Sequence, residues 1–136
     1  MADPLATLRR LRRLEVDGAH RDLAEKLAAA REAEQRAEAA RTALRTEAQA
    51  APRDAAHPLA RGFSNWLPVG QNAARTTAAS ERAAHANAEA SRAALAEARA
   101  AERAVETVQD ARAAARRVTV IKREQITLDD FKAREN

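Results

Sequence analysis

The residues able to do chemistry are few and scattered. His20, His57 and His85 are the only histidines, and they fall at unrelated places along a chain of 136 residues. No grouping of His with Asp or Glu has the spacing of a metal-ligand set, and each imidazole reads as a solvated surface group. Cysteine is absent, which excludes disulfides and thiolate metal sites. The three glycines form no phosphate-cradling loop, and no side chain sits in a nucleophile-and-base arrangement. The sequence therefore predicts no catalytic residue, no cofactor and no metal, and no binding or hydrolysis of ATP by this chain.

What the chain does offer is clustered cations. Arg9, Arg10, Arg12 and Arg13 lie near the start, and Arg112, Arg116, Arg117, Lys122 and Arg123 lie late. Net charge is only +4, from 24 Lys and Arg against 20 Asp and Glu, so a strong field must be local. Two readings stay open. The clusters dock on an acidic surface or duct, or they are a solvated arginine face in a protein from a GC-rich genome, where Arg outnumbers Lys 21 to 3. Phosphate contacts need little more than clustered arginine. Nucleic acid is nevertheless disfavoured, because glutamates lace the rest of the chain and neither cluster has a stacking aromatic or a DNA-binding motif.

The second feature is apolar. Leu59, Phe63, Trp66, Leu67 and Val69 crowd one short Pro/Gly segment that holds two of the three aromatic residues. Trp and Phe desolvate a large area with few rotors, and so anchor protein interfaces. The same side chains also suit a small local core capping the ends of two helices. The two readings are compatible.

Two long helices must position these groups. Asp3-Pro4 is a good helix start, since Asp accepts from free backbone N–H groups and Pro suits the first helical position. Leu5, Leu8, Leu11 and Leu14 follow at steps of three, then Val16, Ala19, Leu23, Ala30, Ala33, Ala37, Ala40 and Leu44. From Ala19 onward this is a stripe at steps of three and four, interrupted by Lys26, as a helix packing along one partner requires. Gly18 costs up to ~1 kcal/mol and marks a candidate bend. Pro52, Pro58, Gly62, Pro68 and Gly70 end the first helix and delay the second, for which Asn72 is the expected N-cap. The second stripe runs Ala84, Ala88, Ser91, Leu95, Ala98, Val105, Val108, Ala115, Val118, Ile121 and Leu128. The expected organisation is a single domain over residues 1–136: helix 4–51, loop 52–71 with an apolar tip, and helix 72–134. At ~1.5 Å per residue each helix is on the order of 70–90 Å long. One short join makes an all-α, two-helix antiparallel coiled-coil hairpin the natural solution. Its terminal end would be basic and its turn apolar.

Composition supports the rod and limits its core. Alanine, the strongest helix former, supplies 39 of the 136 residues, so the 46% hydrophobic content contains little bulk. Charged residues reach 32% and aromatics only 2%, the signature of a coiled coil or long helix. Disorder is set aside because acids and bases alternate and Gly and Pro concentrate in the middle. No uncharged run approaches the ~20 apolar residues of a membrane span. Residues 1–14 lack the apolar h-region of a secretory signal, and a cytoplasmic protein, peripheral to membranes at most, is expected.

At pattern level, nearly the whole chain resembles the FliJ/YscO family of type III export stalk proteins, flagellar or injectisome. The resemblance is carried by Leu5-Ala6-Thr7-Leu8-Arg9-Arg10-Leu11-Arg12-Arg13-Leu14-Glu15-Val16, by the run from Ala19 to Leu44, and by Lys122-Arg123-Glu124-Gln125 followed by Leu128-Asp129-Asp130. The segment from Pro52 to Gly70 departs from the tighter turn of many members. The resemblance implies an antiparallel coiled coil similar to the central shaft of rotary ATPases. It implies that the terminal end enters the pore of a hexameric export ATPase, and that other parts contact the export-gate membrane protein or escort export chaperones. Arg9, Arg10, Arg12, Arg13, Arg112, Arg116, Arg117, Lys122 and Arg123 would then enter the ring, and Leu59, Phe63, Trp66 and Leu67 would face the gate.

The function expected is a non-enzymatic stalk and adaptor of a type III export ATPase. One alternative is a generic coiled-coil adaptor or secretion chaperone without an ATPase partner. Another is an Arg-rich binder of nucleic acid or an acidic surface, which salt would release.

Overall fold

The computed structural model describes residues 3–135. They form two long α-helices, α1 over Pro4–Ala50 and α2 over Pro58–Glu135, packed antiparallel and joined by residues 51–57. No strand occurs among the described residues. The all-α hairpin expected from the sequence is the fold found.

Both helices start by the same local rule. Leu5 N donates to Asp3 Oδ1 at 3.0 Å, and Pro4 opens α1. Leu59 N donates to His57 Nδ1 at 3.1 Å, and Pro58 opens α2. In each case a side-chain acceptor caps an otherwise orphaned N–H, and Pro takes the position whose N–H has no helical partner. The connection is held by Asp54, whose Oδ1 accepts from Ala56 N at 2.9 Å and whose carbonyl accepts from His57 N at 3.0 Å.

This start corrects the expected loop over residues 52–71. Pro58 is not a breaker but the first residue of α2, and Asn72 lies inside the helix rather than capping it. Pro68 is also inside α2, where it forgoes one backbone hydrogen bond. Leu59, Phe63, Trp66 and Leu67 therefore ride the first turns of a helix, and the connection shrinks to residues 51–57.

The chain divides into two compact units, Gly18–Leu95 and Met1–Asp17 with Ala96–Asn136. In the first, α1 covers Ala19, Leu23, Lys26, Ala30, Ala33, Ala37, Ala40 and Leu44 at alternating steps of four and three. From α2 come Ala74, Thr77, Glu81, Ala84, Ala88, Ser91 and Leu95. Ala37 is fully covered, and Ala30, Ala33 and Ala88 are buried. A methyl removes little area from water at ~25 cal/mol per Å², so this seam brings the helices close while stabilising them weakly. Ser91 is buried because its hydroxyl donates to Asp22 Oδ2 across the helices at 2.7 Å.

In the second unit Val16 and Val105 are buried and Leu5 and Leu8 half-buried. Leu11 and Leu14, which precede the stripe at steps of three, are 51% and 60% exposed. Each step of three falls about 60° short of a full turn, so four such steps wind off any single face. Arg12 occupies the covered position instead, and its Nε is buried without a hydrogen-bond partner. The late part of the second stripe is corrected too. Val108 is exposed, and from residue 114 onward every described residue is exposed, including Ala115, Val118, Ile121 and Leu128. The cause is length. The register that sets Arg9 against Glu106 and Gln109 runs α1 out of residues before α2 ends.

Candidate functional site

Three places on the hairpin could engage a partner or ligand. The first lies at the chain's ends. Both basic clusters fall in the unit Met1–Asp17 with Ala96–Asn136, as the hairpin requires. Arg9 is engaged internally, with Nη2 3.5 Å from Glu106 Oε1 and Nη1 3.5 Å from Gln109 Oε1. Arg12 Nη1 bonds Glu15 Oε2 at 2.9 Å. Arg10, Arg13, Arg112, Arg116, Arg117, Lys122 and Arg123 are exposed and make no ion pair among the described residues. Seven of the nine expected cations thus face solvent, where a polyanionic partner could reach them.

The second place is the start of α2. Phe63 and Trp66 pack with ring centroids 6.3 Å apart and planes tilted by 31°. Along with Leu67 they are half-buried, whereas Leu59 is 68% exposed and Val69 64% exposed. Phe63 separates two shallow clefts. One, of about 380 Å³, is lined by Glu47, Ala50, Ala51, Pro52, Leu59, Gly62, Phe63 and Trp66. The other, of about 510 Å³, is lined largely by residues 52–55 and 60–65. The aromatic pair thus packs at the helix ends and has an exposed apolar ledge, Leu59 and Val69, beside it.

The third place was missed by the sequence reading. In the unit Gly18–Leu95, Glu34 of α1 meets Glu81 and His85 of α2, with one ligand atom from each lying within 4.8 Å of the others. His85 Nε2 is 2.9 Å from Glu34 Oε1 and 4.0 Å from Glu81 Oε1. Glu81 and His85 are four apart and share a helix face, a spacing visible in the sequence. Glu34 joins them only through the register of the pair. The far oxygen of Glu81 accepts from Arg41 Nη1 at 3.5 Å. A cleft of about 370 Å³ opens beside His85 and Glu34.

Close by, Glu38 accepts from Arg41 Nη2 at 2.8 Å and from Arg45 Nη2 at 3.1 Å. The hydrogen bonds from Arg41 and then Arg45 hold its carboxyl below its ordinary value, and the same pairing raises Arg41. Among the described residues no helix is long and apolar enough to cross a membrane. Comparison of the chain with protein-family models, with curated proteins and with solved structures finds no match.

Proposed function

We propose that the protein is a non-enzymatic stalk and adaptor that docks on a hexameric protein-export ATPase and links it to the export gate on the cytoplasmic side of a membrane. The observation that carries the reading is the gathering of two sequence-distant arginine clusters into one compact unit of an Ala-seamed hairpin, with most of those cations exposed. Such a surface suits an acidic duct, because these exposed cations make no ion pair within the described residues. The exposed ledge of Leu59 and Val69 beside Phe63 and Trp66 supports a second contact, with the gate or a chaperone.

The test is co-purification with the export ATPase, followed by its rate with and without this chain. The expected result is one copy for each ATPase ring and faster turnover. Reversing Arg10, Arg13, Arg116 and Arg117 to Glu should weaken binding, since these arginines are free of internal ion pairs and their loss leaves the fold intact. Unchanged affinity for the ring would remove the docking half of the reading. Replacing Leu59 and Val69 with Ala should impair gate binding at unchanged helicity.

A further inference from the structure

We propose that Glu34, Glu81 and His85 form a transition-metal site that staples α1 to α2, with zinc the best-fitting ion. The donor set is one imidazole nitrogen and two carboxylate oxygens, drawn from both helices and converging within 4.8 Å. A tetrahedral zinc with bonds of about 2.0–2.2 Å asks for ligand atoms roughly 3.3–3.5 Å apart. His85 Nε2 stands 2.9 Å from Glu34 Oε1 and 4.0 Å from Glu81 Oε1, and the three donors span at most 4.8 Å, so closing on an ion asks for shifts from a few tenths of an ångström to about one and a half, within reach of side-chain rotation. The imidazole favours zinc, copper or nickel over magnesium or calcium, which prefer all-oxygen ligands.

The surroundings fit an ion as well as the donors do. Arg41 holds the far oxygen of Glu81, leaving Oε1 turned toward His85, as outer-shell groups do around bound metals. The adjoining cleft leaves room for water to complete the coordination and for the ion to enter. Two carboxylates balance the charge of a divalent ion. Next to the donors the seam consists of Ala33, Ala37, Ala84 and Ala88, so a bond across it adds to a contact that has little apolar area of its own. Metal-bound protein would therefore hold α1 and α2 together more firmly in the unit Gly18–Leu95.

The chain itself, stripped with chelator, is titrated with zinc chloride while its thermal midpoint is followed. One equivalent should raise the midpoint by several degrees at micromolar zinc, and magnesium at the same concentration should not. A ligand at a hundred times its dissociation constant raises the folded-to-unfolded ratio about 100-fold, so the shift is large enough to read. Cobalt in place of zinc should give visible absorption bands of low coordination number. Glu34→Gln and His85→Ala should each abolish the shift, while His20→Ala should leave it intact. Both altered residues are exposed, and circular dichroism without metal checks that the variants keep their helicity. No stabilisation by zinc would overturn the site, as would a shift that survives both Glu34→Gln and His85→Ala.

Discussion

The indole of Trp66 lies directly over Gly70, one turn further along α2. A Cβ at Gly70 would stand 2.5 Å from Trp66 Cη2 and under 3.0 Å from two other ring atoms. In an open helix interior Gly→Ala gains up to ~1 kcal/mol. Here a forced clash of the overpacking kind, costing about 1–3 kcal/mol, should outweigh that gain. Gly70→Ala should lower the denaturation midpoint and shift the emission of the single tryptophan to the red. A higher midpoint with unchanged emission would show that the ring moves aside freely.

Ala37 is fully covered at the seam and Ala39 is exposed on the same turn. Ala37→Leu should cost about 1–3 kcal/mol by prising the helices apart, whereas Ala39→Leu should change stability by under ~0.5 kcal/mol. Urea melts of the two variants make the comparison, and equal effects would contradict the seam assignment.

The two caps should be worth similar amounts. Asp3→Ala removes the acceptor for Leu5 N, and His57→Ala removes that for Leu59 N. Each should cost about 1 kcal/mol, and His57→Asn should retain most of it, because Asn caps at least as well. Melting curves of the three variants decide the matter.

Glu38 should titrate below its ordinary 4.5, because Arg41 and Arg45 donate hydrogen bonds to its charged form. A carboxyl depressed in the folded state stabilises fully above its unfolded value, and that contribution fades as pH falls through the folded midpoint. Carboxyl-carbon NMR between pH 2 and 6 would show it, and Arg41→Ala with Arg45→Ala should return the midpoint to the ordinary value.

Residues 114–135 should exchange their amide protons far faster than the covered stretch around Ser91. They are helical yet wholly exposed, and helices in proteins draw most of their stability from tertiary packing, which this segment lacks. Equal protection along α2 would mean that something holds this segment.

Much of the architecture was legible before any coordinates. Asp3-Pro4 announced α1, and the alternation of small residues from Ala19 to Leu44 announced a partner helix, because both signals are local or periodic. The leucines before Ala19 gave no such signal: at steps of three they wind around the helix, and Leu11 and Leu14 end on its exposed side. Pro58 misled: the same residue that stops one helix starts another, and only His57 in front of it, an unusual cap, tells which. That one misplacement moved the start of α2 to residue 72 and so hid how far α2 outruns α1. Glu34 and His85 were never placed together, because their meeting depends on the register of the pair, which no local signal gives. The basic clusters survived the error because their grouping depends on the antiparallel topology alone.

A row of methyl groups is a poor ruler. Sliding α1 along α2 by seven residues would again set alanine against alanine over much of the interface, with little loss of contact to oppose it. What marks the correct setting is the 2.7 Å bond from the buried Ser91 hydroxyl to Asp22, a polar index of the kind that specifies alignment in coiled coils. Any slip abandons that hydroxyl in a dry seam. This serine and aspartate thus index the buried seam of the unit Gly18–Leu95, with Glu34–His85 and Arg41–Glu81 keeping the same alignment at its exposed edge.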